Sequence, residues 1–158
     1  MCPNQNVPPL YSQLGLRISL AEDRPSQRVG LHALVVDDGA VHRLVASALL
    51  QKHGYRVTCV NDGLEAVAVL LKQHFDLVLM DVEMPGMDGI TATVEIRQRE
   101  VLVYVYTPIV ALTSTKDYEK CFEAGMDGFT EKPLSVEHLE QILGVATFVR
   151  PQQEFCTV

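Results

Sequence analysis

The sequence predicts an α/β fold, a parallel sheet covered by helices on both faces. Short apolar runs alternate with segments whose apolar residues recur every three or four positions, the two periodicities of strands and helices. The alternation repeats five times between residues 31 and 145. Repetition of that kind builds parallel sheets with right-handed crossovers. The composition agrees, since 47 % hydrophobic residues in 158 is ordinary for a folded chain and enough to bury a core without staples.

Leu31-His32-Ala33-Leu34-Val35-Val36 reads as a first, buried strand. Val41, Leu44, Val45, Ala48 and Leu49 then recur at helical spacing, and Gly54 is a stop signal. Tyr55 to Val60 is a second strand. Asp62-x-x-Glu65 has the form of a capping box and opens a helix with Leu64, Val67, Ala68 and Leu71 on one face. Leu77 to Met80 is the third strand and Ile90 to Arg99 the third helix. Ile109 to Leu112 is the fourth strand, followed by a helix from Asp117 to Ala124 that Gly125 ends. Gly128 to Glu131 is a short fifth strand. Ser135 caps a last helix carrying Val136, Leu139, Ile142 and Leu143, which Gly144 stops. The run Val101-Leu102-Val103-Tyr104-Val105-Tyr106 is unusually apolar for a loop before a strand. It fits an extra strand, a longer third helix or a partner contact.

The flanks read differently. Residues 1–30 hold Pro3, Pro8, Pro9 and Pro25 and little periodicity, so an irregular extension is expected, with Leu14 to Leu20 apolar enough to dock on a surface. Residues 31–145 form the folded domain and residues 146–158 a tail. The net charge is −7. It belongs to the folded part, where nine basic and seventeen acidic residues between 31 and 143 leave −8. That balance opposes a nucleic-acid-binding surface. No apolar stretch approaches the roughly 18 residues of a membrane helix, and the charged-then-apolar layout of a signal peptide is lacking. Cys2, Cys59, Cys121 and Cys156 form no C-x-x-C pair and no zinc spacing, which fits reduced thiols in a cytoplasmic protein.

In an open parallel sheet, functional groups collect beyond the carboxyl ends of the strands. The residues there are Asp37 and Asp38 after the first strand, Asp81 after the third, Thr113 and Ser114 after the fourth, and Lys132 followed by Pro133 after the fifth. Three carboxylates in one cleft repel and raise one another's pKa. A hard divalent cation relieves that repulsion, and a few carboxylates with open, water-filled positions suit Mg²⁺. A lysine and a hydroxyl beside the metal are the groups that neutralise phosphoryl oxygens during in-line attack. A carboxylate can itself be the nucleophile, and the central Asp81 is the best placed.

The segments Leu34-Val35-Val36-Asp37-Asp38, Leu79-Met80-Asp81-Val82-Glu83-Met84-Pro85-Gly86-Met87-Asp88-Gly89, Ala111-Leu112-Thr113-Ser114 and Glu131-Lys132-Pro133 resemble the receiver domain of response regulators in two-component phosphorelays. With Ala124-Gly125-Met126-Asp127-Gly128, the wording is most similar to receivers of hybrid histidine kinases and their single-domain relatives. The resemblance covers about residues 31–145. It implies a flavodoxin-like (βα)5 doubly wound sheet in strand order 2-1-3-4-5.

Carried onto this chain, the resemblance implies that Asp81 accepts phosphate from a phosphohistidine. Asp38 and Asp81 would ligate Mg²⁺ with the backbone carbonyl of Glu83, and Asp37 would act through a metal-bound water. Lys132 would pair with the phosphoryl oxygens, and Thr113 would donate its hydroxyl to them. Phe129 matches the aromatic switch that turns inward when Thr113 moves, and the Lys132–Pro133 peptide is expected to be cis. Such a domain is a signalling module that catalyses its own phosphorylation and dephosphorylation, not a turnover enzyme. It implies a histidine kinase or histidine phosphotransfer protein as partner and a readout face at Lys116–Ala124 and Ser135–Leu143. Gly39 and Ser114 depart from the commoner residues, and Glu83 and Thr115 occupy positions that tune phosphate lifetime in the family.

Two other functions compete. Haloacid-dehalogenase phosphatases also combine a nucleophilic Asp, a Thr or Ser, a Lys and an acidic pair with Mg²⁺. In those enzymes the nucleophile's strand comes first and a second Asp sits two residues later, where this chain has Glu83. A non-phosphorylated receiver-like scaffold would lack one of the key residues, and none is missing. His32, His42, His53, His74 and His138 are scattered and read as structural or surface groups.

Overall fold

The computed structural model describes residues 30–149; the expected irregular segments at 1–29 and 150–158 lie outside the described residues. Five strands, β1 (His32–Val36), β2 (Arg56–Val60), β3 (Leu77–Asp81), β4 (Ile109–Thr113) and β5 (Gly128–Glu131), form one parallel sheet in the order β2-β1-β3-β4-β5. The helices α1 (Ala40–Lys52), α2 (Gly63–Leu70), α3 (Gly89–Val103), α4 (Tyr118–Glu123) and α5 (Val136–Val149) come after the strands in turn. This is the flavodoxin-like doubly wound arrangement.

Side chains alternate across the sheet and feed two cores. Leu34, Val36, Val78, Met80, Ile109 and Ala111 pack with Ala66 and Val67 of α2, Ala92 and Ile96 of α3 and Cys121 of α4. Ala33, Val35, Leu77, Leu79, Val110 and Leu112 pack with Ala46 and Leu50 of α1 and Leu139, Ile142 and Leu143 of α5. Strands covered on both faces have no polar side to show, and every residue of β3 and β4 is buried. Each such leucine contributes about 2 kcal/mol by leaving water.

The helical spacings are legible in the sequence, but two buried stripes sit elsewhere than the bulky residues suggest. Val41 and Leu44 are exposed, as are Leu64 and Leu71. The sheet-facing residues are Ala46 and Leu50 in α1, and Gly63, Ala66 and Val67 in α2. Small side chains let these helices approach the sheet closely, which leaves large neighbours at the flank. Half of the capping box forms: Asp62 accepts from the Glu65 amide at 2.8 Å, while Glu65 reaches back one residue further, to the Asn61 amide at 3.2 Å. Gly144 does not end the last helix, whose backbone runs past the expected boundary at 145 to Val149. A glycine terminates a helix by turning left-handed, as Gly125 does at φ 99, and Gly144 has no such φ.

The first half of the run Val101–Tyr106 lengthens the third helix, and the second half is a turn and loop. α3 continues to Val103, and Tyr104 turns the chain with a left-handed φ of 54. Arg97 fastens the loop between this turn and β4. Its Nε donates to the Gly125 carbonyl at 2.8 Å and its Nη1 to the Thr107 carbonyl at 2.9 Å. The same guanidinium pairs with Glu100 at 2.5 Å and Asp127 at 2.9 Å, and it lies 4.2 Å from the centre of the Tyr106 ring. Glu100 in turn accepts from the Thr107 amide and Asp127 from the Ile109 amide and the Tyr106 hydroxyl. Arg97→Met removes the cation from two largely buried carboxylates, so a loss of about 3–5 kcal/mol is expected, read from the urea unfolding midpoint. A loss below about 1 kcal/mol, the range of exposed ion pairs, would show that the network is a surface ornament.

Candidate functional site

The carboxyl ends of β1 and β3 lie side by side, with Val36 in register with Met80. Asp37 and Asp81 therefore emerge as neighbours, fully buried and 2 % exposed respectively. Asp38 is exposed beside them, and carboxylate oxygens from all three lie within 4.8 Å of one another. Local bonds aim them. Asp37 Oδ1 accepts from the Gly39 amide at 2.7 Å, and Asp81 Oδ1 accepts from the Glu83 amide at 3.1 Å. Gly89 lets α3 start hard against the end of β3: a Cβ there would stand 2.1 Å from the Asp81 carbonyl oxygen.

Lys132 reaches the pair from the end of β5. Its Nζ is 2.8 Å from Asp37 Oδ2 and 2.9 Å from Asp81 Oδ2. The next peptide bond, Lys132–Pro133, is cis. The Lys132 amide donates to the Thr113 carbonyl at 3.0 Å, which ties the ends of β4 and β5 together. The Thr113 hydroxyl is engaged along its own loop: Oγ1 accepts from the Thr115 amide at 3.0 Å and contacts the Thr115 hydroxyl at 3.1 Å. Ser114 Oγ donates to Glu83 Oε2 at 3.2 Å. So the structure brings Asp37, Asp38, Asp81 and Lys132 together, with Thr113 at the end of β4 and Glu83 on the loop after β3 beside them.

Phe129 lies outside that cluster, on the surface. Its ring stacks on Tyr118 at 3.8 Å with 16° between the planes, and meets Phe122 edge-on at 6.0 Å. The Tyr118 hydroxyl donates to Glu131 at 2.8 Å.

Two residues lie beyond the sequence expectations. His42 Nδ1 lies 3.2 Å from Asp37 Oδ1, and Arg43 Nη1 donates to the carbonyls of Asp37 and Asp38 at 2.6 and 3.1 Å. The signal in the sequence is position: both side chains belong to the first turn of the helix that opens after the Asp pair.

Burial pushes the Asp81 carboxyl above the ordinary aspartate range, and Asp37 adds to the rise, while the Lys132 ammonium and the Glu83 amide pull the other way. Burial alone lowers the Lys132 ammonium, but hydrogen bonds to Asp37 and Asp81 outweigh it and leave it raised. One ammonium against three carboxylates leaves two negative charges uncompensated. Hard oxygen donors with that residual charge fit a divalent cation of the Mg²⁺ kind.

Residues 33–144 match the family described as Response regulator receiver domain. The chain belongs to that family. It is a signalling domain of two-component systems. The acidic pair precedes the central Asp in this receiver domain, the reverse of the phosphatase order. Probable histidine kinase 6 of Oryza sativa subsp. japonica is 40 % identical over 133 residues, covering 72 % of this chain and 14 % of that protein. The receiver domain of sensor histidine kinase PA1611 from Pseudomonas aeruginosa PAO1, solved with magnesium in its active-site cleft, is 42 % identical with a TM-score of 0.65, covering 73 % of this chain and 95 % of that one. The receiver domain of the histidine kinase CKI1 from Arabidopsis thaliana, solved with Mg²⁺ and BeF₃⁻, is 31 % identical with a TM-score of 0.66, covering 76 % and 94 %. The chain spans 11 to 22 % of the length of its first relatives. No helix among the described residues is long and apolar enough to cross a membrane.

Lys132→Met leaves Asp37 and Asp81 facing each other without a cation. Without divalent ions, the variant's Tm is expected to fall by roughly 5–10 °C. Adding Mg²⁺ is expected to raise the variant's Tm more than the wild type's in scanning calorimetry. Equal Mg²⁺ shifts in both proteins would contradict this account of the charge balance.

Proposed function

We propose that this receiver domain takes a phosphoryl group from a phosphohistidine onto Asp81 and answers by changing its α4–β5–α5 surface. The observation that carries the reading is the Lys132 ammonium set between two buried carboxylates that share their cleft with a third. The donor is a histidine kinase or a histidine phosphotransfer protein. Asp38, Asp81 and the Glu83 backbone carbonyl would hold Mg²⁺, with Asp37 acting through a bound water. The ion, when bound, supplies positive charge against the phosphoryl oxygens.

An Asp81 carboxylate oxygen attacks phosphorus, and the P–N bond to the donor imidazole breaks with its electron pair staying on nitrogen. The product is an aspartyl phosphate, which water later hydrolyses. Lys132 turns from the carboxylates to a phosphoryl oxygen. The group adds about −1.5 to −2 charge, and the Thr113 hydroxyl leaves Thr115 to donate to it. Its departure frees space toward which Phe129 turns, so the Tyr118 stack must open. The response is a shift between two populated arrangements.

Asp81→Asn is expected to abolish acid-labile labelling by acetyl phosphate; undiminished labelling of the variant would move the acceptor elsewhere. Tyr118→Ala removes a stack worth about 0.5–1.5 kcal/mol, and its loss favours the inward ring. The apparent affinity for beryllofluoride with Mg²⁺ should then rise roughly 2- to 12-fold by NMR titration. An unchanged affinity would mean that Tyr118 does not restrain Phe129.

A further inference from the structure

We propose that the apolar end of α3 is a docking surface for the chain's own segment Leu14–Leu20. Val101, Leu102, Val103, Tyr104 and Val105 are consecutive and exposed, Leu102 to 78 % and Tyr104 to 98 %. The solvent side of the same helix is charged one turn earlier, where Glu95 and Arg99 pair. The fastening of the loop uses Arg97, Glu100, Tyr106 and Asp127, not these five side chains. A contiguous apolar patch that the fold does not use marks an interaction site.

The occupant is fixed by pattern, place and charge. Leu14, Leu16, Ile18 and Leu20 alternate with Gly15, Arg17 and Ser19. Docked in an extended form, such a sequence would put its four apolar side chains on one side. The extension joins the fold at Gly30, directly before β1. The patch lies at that same end of the sheet. The His32 carbonyl accepts from the Asp76 amide at 2.7 Å and the Pro108 carbonyl from the Val78 amide at 2.8 Å. The entry to β1 and the approach to β4 thus flank the start of β3, about 10 Å apart. Ten residues, 21–30, can span at most roughly 33 Å, which exceeds that separation. Arg17, Arg24 and Arg28 outnumber Glu22 and Asp23 by one, a sign opposite to the −8 of residues 31–143. The cleft with Asp81 opens at the opposite end of the sheet, so docking leaves it accessible.

The test uses the full chain with labelled Ile, Leu and Val methyls. The five isoleucines are Ile18, Ile90, Ile96, Ile109 and Ile142, and Ile18→Val identifies the Ile18 signal. The expected result is a displaced Ile18 δ1 methyl with NOEs to Leu102 or Val105. Leu102→Asp, at an exposed position, should erase those NOEs and return Ile18 to its random-coil shift, while the other four isoleucines stay in place and report an intact fold. Leu16→Asp should produce the same loss from the other partner. An Ile18 methyl at the random-coil position in the wild type overturns the proposal. So do NOEs to the β2 edge at Val57, or NOEs found only between differently labelled copies, which would make the occupant a second molecule.

Discussion

Like charges forced together are the constraint on which this molecule is built. Three carboxylates share a cleft in which their oxygens approach within 4.8 Å. Two unit charges about 4 Å apart repel by roughly 4 kcal/mol at an effective dielectric of 20, against about 5–15 kcal/mol for the stability of a whole domain. The fold tolerates the arrangement because Lys132 sits between Asp37 and Asp81 and because backbone amides of Gly39 and Glu83 face their other oxygens. The remaining negative charge is left uncancelled. Hard oxygen donors with such a deficit suit a divalent cation.

Positioning that cleft is the work of the sheet. Two adjacent strands run apolar from Ala33 to Val36 and from Leu77 to Met80 and then turn polar at the same level, and the register between Val36 and Met80 sets the two carboxylates side by side. Cores on both faces hold the register. Gly89 allows the next helix to close against the Asp81 carbonyl, where any larger residue would collide. The chemistry at the top is therefore as well determined as the packing below it.

Much of this is legible in the sequence, because it rests on short-range pattern. The ends of the apolar runs locate Asp37, Asp38, Asp81, Thr113 and Lys132, and the capping box locates the start of α2. Helix faces are less legible. Val41, Leu44, Leu64 and Leu71 have helical spacing and large side chains yet stay outside, since closeness to the sheet selects Ala46 and Ala66, and spacing alone carries no information about closeness. The end of α5 escapes a sequence reading because Gly144 keeps helical geometry. The fastening of Val101–Tyr106 escapes it because Arg97, Glu100 and Asp127 are ordinary charged residues until the fold gathers them with the Tyr106 ring.

The short edge strand β5 pairs with β4 alone, and its Lys132 amide holds the Thr113 carbonyl. The ammonium that touches the carboxylates and the aromatic ring that faces solvent are three residues apart on that one strip of backbone. The interior strands β1, β3 and β4 are paired on both sides, whereas β5 is paired on one. In the proposed response, the path from the cleft to the exposed ring need be no longer than that one strip of backbone.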